Sequence, residues 1–357
     1  LYEETDADSS VCDFPSGAGG IALYELNGNA NDTCGTYNGT ATSVTWLNNG
    51  VGFQPDLVWI KTRTNLVGNT NHFLFDSIRG VYNALKSDST VAESAATNTL
   101  TSFDSNGFTL GNDISTNYNG NDIVAWNWKG AEIPAINSNG SIPSVVSANP
   151  AAGFSIVSYT GHGVNGDTVG HGLSAVPNVV IWKNRSDARN WVVWHSGLTS
   201  IDYSLILNST SAEVLDSRTN RPFGQPTDSV LVLGEDNETN FSPNKFIAYC
   251  FAEVAGFSKF GSYSGDGTNN ASNIQDIGFE PAFLLVKSSN VSNNWEIFDN
   301  KRSPANPNNK ILKANTVDPE ATYTYGFNFL NNGFVPENIW FNGIGENFIY
   351  MAFANQF

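Results

Sequence analysis

The sequence predicts an all-β protein built from three tandem jelly-roll-like β-sandwich units. Three observations predict this fold: the composition, a pair of apolar segments that occurs three times, and the density of short strand-like runs. Charged residues make up only 14% of the 357 residues, and aromatic residues make up 12%. The many Gly, Asn, Ser and Thr residues are typical of strands joined by tight turns. No window places good helix formers at the 3.6-residue spacing of a helix.

The repeated pair of segments defines the units. The opening segment begins at a proline and ends at a lysine six positions later, in Pro55–Lys61, Pro177–Lys183 and Pro281–Lys287. The closing segment follows as Ile123–Trp128, Phe246–Phe251 and Phe348–Phe353. From each proline to residue 126, 249 or 351 the distance is 71, 72 or 70 residues. This constant spacing indicates a duplicated unit, and we interpret the two segments as the two walls of one sandwich.

The pattern divides the chain into five parts. They are an N-terminal segment 1–38, unit one 39–130, a linker 131–152, unit two 153–256 and unit three 257–357. The linker prediction rests on its many Ser, Asn and Pro residues. The opening of unit two, Gly153–Gly161, matches Gly256–Gly265 of unit three, and Thr42–Trp46 is its nearest equivalent in unit one.

Unit three contains seven strand-like runs, the number typical of a β-sandwich. They are 257–264, 282–288, 295–299, 310–314, 322–330, 333–336 and 347–354. In the last run both alternating faces are apolar, which predicts a central strand covered on both sides. The proline of each opening segment suits the first residue of a strand, where no ladder hydrogen bond is donated.

The chain is strongly acidic, with a net charge of −17. This charge argues against a nucleic-acid partner, which requires a basic surface. No apolar stretch approaches the length that spans a bilayer, so no membrane insertion is expected. Leu1–Ser10 is acidic and does not resemble a signal peptide. We therefore expect an acidic, mobile lead-in, with a mature, processed or truncated start as the alternative.

Three cysteines leave one candidate disulfide. Cys12 and Cys34 flank a Gly-rich segment and a short apolar strand, which suits a local bond in an oxidising compartment. The sequence leaves this pair either bonded or free. Cys250 lies inside an apolar segment, which predicts a buried, inert thiol.

Three polar residues occupy one equivalent position, at the end of the aromatic strand that follows each opening segment. Asp76, His195 and Asp299 stand there. They could line a repeated site, but strand-end polar residues more often belong to turns, and we favour that interpretation.

Candidate metal ligands occur in two loops. His162, Asp167 and His171 lie in one Gly-rich loop, but their spacing matches no metal site. The segment Asp266–Asn270 has a composition that suits calcium without the ordered acidic spacing of a calcium loop. We therefore predict no metal site and no cofactor, and leave calcium binding in a loop as an open alternative.

The sequence offers no repeated catalytic pair. A glycoside hydrolase requires two facing carboxylates, and the available acids, Glu280, Glu296, Glu337 and Glu346, have no equivalents in all units. We therefore predict that the protein is not an enzyme. Trp46, Tyr118 and Tyr159 lie near turns and are candidates for stacking on sugar rings, whereas most other tryptophans are expected in the core.

Two parts of the sequence resemble known domain families, and these resemblances suggest where the protein occurs. Gly20–Thr40 resembles the opening strand and turn of a laminin-G or concanavalin-like module, although no sugar or calcium site is carried over. Motifs in units one to three resemble a domain family frequent in marine bacteriophages, which occurs in tandem in virion and tail-associated proteins. They are Gly52–Lys61, Gly170–Ser174 with Pro177, Trp295–Arg302 and Phe348–Phe353. This resemblance implies a setting and no catalytic residues.

We therefore expect a non-enzymatic structural or adhesion protein of a phage particle, in a tail fibre, spike or capsid-surface fibre. Its partners would be copies of itself, other virion proteins and a host surface glycan contacted by the loops. One alternative is a secreted bacterial carbohydrate-binding or surface-filament protein, and a weaker one is a glycan hydrolase.

Overall fold

The computed structural model describes residues 22–27, 51–66, 68–131, 133–215, 223–268 and 272–355. Within these residues the chain forms 27 β-strands, one four-residue α-helix and one 3-10 turn. The all-β prediction is therefore confirmed. In this described part of the chain, no helix is long and apolar enough to cross a bilayer.

The first unit is built on a four-stranded sheet. Its strands are β1 (Ala22–Asn27), β2 (Leu57–Thr62), β3 (Phe73–Asp76), β4 (Asn83–Ala84), β5 (Ser94–Ala95), β6 (Leu100–Asp104), β7 (Gly107–Leu110) and β8 (Asp122–Trp128), with helix α1 (Ile114–Asn117) before β8. The sheet order is β1-β8-β2-β3, while β4 with β5 and β6 with β7 form separate pairs.

The second unit has an eight-stranded sheet and a three-stranded sheet. Its strands are β9 (Ala135–Asn137), β10 (Ser144–Asn149), β11 (Phe154–Thr160), β12 (Thr168–Gly170), β13 (Val179–Asn184), β14 (Trp191–His195), β15 (Tyr203–Ile206), β16 (Val214–Leu215), β17 (Phe223–Gly224), β18 (Val230–Leu233) and β19 (Lys245–Phe251), with the 3-10 turn at Pro150–Ala152. The orders are β16-β15-β14-β13-β19-β11-β10-β9 and β12-β18-β17.

The third unit forms one eight-stranded sheet, ordered β20-β27-β22-β23-β24-β25-β26-β21. Its strands are β20 (Ser258–Ser264), β21 (Gln275–Asp276), β22 (Phe283–Ser288), β23 (Glu296–Asp299), β24 (Asn308–Lys313), β25 (Ala321–Leu330), β26 (Gly333–Pro336) and β27 (Asn347–Phe353). All seven predicted runs form strands, and the short β21 is an additional one.

The opening and closing segments are hydrogen-bonded neighbours in one sheet, and our interpretation of them as two walls of a sandwich is wrong. The pairs β2 with β8, β13 with β19, and β22 with β27 are all antiparallel, in the same register. Leu57 lies opposite Trp128, Val179 opposite Phe251, and Phe283 opposite Phe353. Constant spacing identifies equivalent strands, but it does not distinguish strands that pair from strands that stack. The predicted central position of β27 is confirmed, because it lies between β20 and β22.

Each unit has a β-sandwich-like core because its sheet is covered by a second layer of strands. In unit three the sheet folds back on itself, so that Phe334 of β26 packs on Tyr350 of β27 with ring centroids 5.0 Å apart. In unit two Trp182 stacks on Phe223 of the smaller sheet at 4.9 Å. These layers explain why the central strands are apolar on both faces.

The strands at the boundaries differ from the predicted division. β1, from the predicted N-terminal segment, pairs with β8 as β11 pairs with β19. It therefore holds the position that we predicted for Thr42–Trp46, which lies outside the described residues. The predicted linker contains β9 and β10, which join the sheet of unit two. Ser144 and Val146 are buried and Val145 between them is exposed, which is the alternation of a strand. This alternation explains why the segment is a strand and not an extended linker.

The three units share one hydrophobic core, and we call the contact of three rings inside it the aromatic axis. The last residues of the closing strands, Trp128, Phe251 and Phe353, contact one another with ring centroids 5.9 to 6.2 Å apart. A continuous cluster of buried residues joins all three units here. A small apolar cavity of about 20 Å³ remains beside these rings, lined by residues of every unit, including Leu207 and Met351.

The thiols fall into two groups. Cys250 is buried, as predicted, and burial raises its pKa to about 12, so the thiol is inert. The predicted pair Cys12 and Cys34 lies outside the described residues.

Candidate functional site

The three equivalent strand-end residues lie at the junctions between units. Asp76 of unit one accepts a hydrogen bond from the Tyr249 hydroxyl of unit two, at 2.8 Å. The His195 ring of unit two lies 3.0 Å from the Tyr350 carbonyl oxygen of unit three. All three strand-end residues are buried.

Asp299 completes this set of junctions. Its carboxylate, in unit three, accepts from the Trp126 indole of unit one at 3.3 Å. Each unit therefore contacts the next and the third contacts the first, which closes a ring. The prediction that these residues are equivalent is confirmed, but their burial gives them a structural role at the junctions.

Arginine–glutamate ion pairs connect unit one with unit two and unit three with unit one. Glu93 of unit one binds Arg79 of its own unit and Arg185 of unit two, at 3.2 and 2.9 Å. Glu320 of unit three binds Arg302 of its own unit and Arg63 of unit one, at 3.0 and 2.9 Å. Burial favours protonation of both glutamates, but the hydrogen bonds from the arginines outweigh it and lower each pKa.

The backbone repeats the same connection at all three junctions. The amides of Glu93, Glu213 and Glu320 donate to the carbonyl oxygens of Arg185, Ser289 and Arg63 at 3.0, 2.6 and 2.8 Å. Each donor and its acceptor belong to successive units of the ring. The junction between units two and three therefore keeps the backbone hydrogen bond, although Ser289 stands at the position that an arginine occupies in the other two junctions.

The three motif lysines are buried cations. Burial lowers the pKa of Lys61, Lys183 and Lys287 to about 8. Lys183 Nζ donates to the Thr90 carbonyl of unit one at 2.9 Å, and Lys61 Nζ donates to the Val317 carbonyl of unit three at 3.1 Å. Two of these lysines therefore hold neighbouring units together.

The acids considered for hydrolysis have different surroundings. Glu296 is buried in β23, and burial raises its pKa to about 7 against the opposing charges of Lys313 and Lys287. Glu280 is exposed before β22. Glu337 accepts from the Asn328 amide after β26, and Glu346 is half-buried before β27.

Two of the three candidate metal ligands, His171 and Asp167, are engaged by protein groups. His171 is buried with its Nε2 3.1 Å from the Thr227 carbonyl oxygen, whereas His162 is exposed. Asp167 accepts from the Ser141 hydroxyl at 2.9 Å. Across the described ranges, no group of three or more His, Cys, Asp or Glu residues is placed to hold a metal ion.

The loop that carries Asp266 is closed by its own hydrogen bonds. The Asp266 carboxylate accepts from the backbone and hydroxyl of Thr268, the hydroxyl of Ser272 and the amide of Asn342, at 2.6 to 3.0 Å. The bonds from Thr268 and these neighbours lower its pKa to about 2. Oδ1 accepts three of these bonds and Oδ2 accepts one, and Asn269 and Asn270 of the candidate segment lie outside the described residues.

Exposed aromatic residues mark a different surface, which we call the rim loops. The rim loops are residues 111–121, 234–244 and 337–346. Each lies directly before the first residue of a closing strand, whereas the ring that the strand contributes to the aromatic axis belongs to its last residue. Each presents one aromatic side chain to solvent. Tyr118 is 39% exposed, Phe241 is 44% exposed and Trp340 is 60% exposed.

Buried polar groups hold the second and third rim loops in the same way. The hydroxyls of Tyr159 and Tyr263 donate to the carbonyls of Thr239 and Phe341 at 2.6 and 2.8 Å. Two buried asparagines repeat a second contact: Asn240 accepts from the His162 amide, and Asn342 accepts from the Asp266 amide, both at 3.0 Å.

The first rim loop is held differently, by the capped turn of α1. The Asp113 side chain accepts from the Ser115 amide at 2.8 Å, which caps the start of the helix. The Thr62 hydroxyl of β2 donates to the Ser115 carbonyl at 2.6 Å. The exposed rings of all three rim loops thus stand on fixed backbones.

The aromatic candidates of the sequence have three outcomes. Tyr118 is exposed in a rim loop, as a stacking residue must be. Tyr159 is buried in β11, because strand alternation turns it inward, and the prediction is wrong for this residue. Trp46 lies outside the described residues. Phe241 and Trp340 were missed, since apolar residues in short runs are assigned to the core by default.

The comparison with protein families gives one match. The model of DUF7483, a domain of unknown function, matches residues 31–356, so a single family domain includes every strand of the three units except β1. No curated protein matches the chain, and no solved structure does.

Proposed function

Because the chain belongs to the DUF7483 family, whose function is unknown, we propose a function from its geometry: it is a non-enzymatic structural and adhesion protein of a phage particle. Its place is a tail fibre, spike or capsid-surface fibre, and its rim loops contact glycans on the host surface. The phage setting rests on the sequence resemblance. The adhesive role rests on one structural observation, the exposed ring in each rim loop.

The fused core supports this role. Tyr118, Phe241 and Trp340 stand on loops whose backbones are fixed by buried hydrogen bonds. Rigid presentation reduces the entropy lost when a ligand is bound. Three weak contacts on one body also add through effective concentration. A structural part of a particle can thus hold a repetitive surface polymer without a deep pocket.

The buried ionisable groups support the non-enzymatic part. Asp76, Asp299 and the motif lysines are engaged between or within units, with their hydrogen bonds directed at protein groups. A hydrolase would be revealed by reducing ends after incubation with host polysaccharides. If these appear, and Glu280→Ala or Glu296→Gln abolishes them, the chain is an enzyme and this part of the proposal is wrong.

Fractionation tests the phage setting. Antibody raised against the chain should detect it in intact virions that sediment together with the major capsid protein. Detection in cell-free pili or in the secretome of uninfected bacteria would instead favour the secreted bacterial alternative. Adhesion is tested on the same antibody-labelled chain, which should bind host cells and lose binding after their surface glycans are oxidised with periodate.

A further inference from the structure

The indole of Trp340 differs from the other tryptophans of the structure. It is 60% exposed, whereas the other seven tryptophans of the described residues are between 0% and 5% exposed. Ile339 and Ile344 of the same loop are 50% and 84% exposed. Exposed apolar side chains that lie together mark interaction sites on soluble proteins.

The backbone around Trp340 is held in place before any ligand arrives. The Trp340 amide donates to the Asn338 side chain at 2.8 Å. The next residue, Phe341, is buried with its ring 4.9 Å from Phe327 and 5.3 Å from Phe298. The indole therefore projects from a loop whose neighbouring ring is fixed in the core.

The chemistry of the rim loops limits what they can bind. Together they contain nine asparagines and no lysine or arginine. They carry six carboxylates, Asp113, Glu235, Asp236, Glu238, Glu337 and Glu346. An aromatic face accepts the C–H face of a pyranose, and amides exchange hydrogen bonds with its hydroxyls. The carboxylates repel anionic sugars, since like charges brought together disfavour binding.

Resting on the proposed function, we infer that Trp340 is the main stacking platform for a glycan and that this glycan is an uncharged saccharide. Tyr118 and Phe241 provide weaker contacts of the same kind. Their rings are smaller and less exposed than the indole, so they present less surface for a sugar to cover. The ring with the greatest exposed area determines the affinity for a short oligosaccharide.

The test uses the full chain and oligosaccharides of six sugars. Cellohexaose, mannohexaose and chitohexaose are the uncharged probes, and oligogalacturonate and a heparin hexasaccharide are the anionic ones. Binding is measured by calorimetry and by the emission of the exposed indole, which should shift to shorter wavelength as a sugar covers it. We expect an uncharged probe to bind at least about tenfold more tightly than both anionic probes.

Three variants locate the site. Trp340→Ala should weaken binding by about tenfold or more, and Trp340→Phe should weaken it less because a ring is kept. Tyr82→Ala is the matched control, because Tyr82 is 45% exposed outside the rim loops, and it should bind as the wild type does.

The outcomes separate this inference from the proposed function. If a probe binds equally well to the Trp340→Ala and Tyr82→Ala variants, the platform is wrong, although the adhesive role stands. Preference for an anionic probe overturns the ligand class. If no probe binds but periodate removes cell binding, the inference about Trp340 is overturned and the proposed adhesive role stands. If sedimentation shows that wild-type chains associate and Trp340→Ala chains do not, the indole is an interface between copies.

Discussion

The carboxylate of Asp76 and the hydroxyl of Tyr249 are joined by a 2.8 Å hydrogen bond, although 173 residues separate them in the chain. Asp76 belongs to a strand end in unit one, and Tyr249 belongs to the closing strand of unit two. The same carboxylate also pairs with the buried Arg79. One residue thus satisfies a cation in its own unit and fastens the next unit, so the stability of the two units should be coupled.

Removing the carboxylate at a junction should destabilise the whole protein. Asp76→Ala removes the nearer of the two carboxylates that pair with the buried Arg79 and leaves Glu93 as its remaining partner, and we expect a loss of about 3 kcal/mol in the free energy of unfolding. Asp299→Ala should act similarly, because Arg302 depends on it in the same way. Urea denaturation followed by tryptophan fluorescence measures the loss.

A partly exposed ion pair provides the control for these variants. Lys259 and Glu253 are 2.9 Å apart, with side chains 41% and 30% exposed. Lys259→Ala should change the free energy of unfolding by less than about 1 kcal/mol. Equal effects of Asp76→Ala and Lys259→Ala would show that the junction carboxylate is not critical.

The aromatic axis should make the described units unfold together. Trp128→Ala removes one of three mutually contacting rings, which should cost about 3–5 kcal/mol. Because the rings come from different units, calorimetry should show one transition in the wild type and one, at lower temperature, in the variant. Trp340→Ala, at an exposed ring, should leave the transition nearly unchanged. Separate transitions for individual units would contradict the shared core.

Glu296 should make stability depend on pH near neutrality. Its folded pKa is about 7, above the ordinary 4.5, so the folded state binds the proton more tightly. The stabilisation is complete below about pH 4.5 and is lost as pH rises through 7, amounting to about 3 kcal/mol. Glu296→Gln keeps a neutral side chain. Its free energy of unfolding relative to the wild type should therefore rise by about this amount between pH 4.5 and pH 8, and a pH-independent difference would refute the assignment.

The motif lysines should act in the opposite direction at alkaline pH. Their folded pKa of about 8 lies below the ordinary 10.5, so the unfolded state binds more protons between these values. Stability should rise with pH by about 1 kcal/mol per pH unit for each lysine. The interval from pH 8 to 9 is the one to measure, because ionisation of Cys250 in the unfolded state opposes the trend above it.

Single-lysine variants test which residue causes the rise in the free energy of unfolding with pH. Lys183→Met should reduce the rise between pH 8 and pH 9 by about one third, whatever its effect on stability at pH 7. Lys86→Met serves as the control, since Lys86 is a lysine of unit one that lies outside the motif. An unchanged slope in Lys183→Met would show that this ammonium is not the group that titrates.

The sequence was sufficient for the strands but not for their partners. Alternation and turn residues identified all seven runs of unit three, because these signals are local. The equivalence of Asp76, His195 and Asp299 was also visible from spacing. The contacts of these residues with Tyr249, Tyr350 and Trp126 could not be predicted from the sequence, because such contacts depend on how the units pack against one another.

The rim loops were harder to predict for a different reason. Tyr159 and Phe241 both lie near turns, yet the first is buried and the second is exposed. Burial depends on which face of a strand a side chain occupies and on what the neighbouring layer covers. The apolar character of Trp340 therefore suggested a core residue, and only the packing of Phe341 beside it explains why the indole is left outside.

The small cavity beside the axis has a consequence for the response to compression. Trp128, Phe251 and Phe283, one residue from each unit, line it without filling the space between the units. Unfolding under hydrostatic pressure is favoured by the elimination of internal voids. Residues of every unit border this void. Under pressure, water should therefore first enter the molecule at this contact between the units, and the loss of the void should destabilise all three units together.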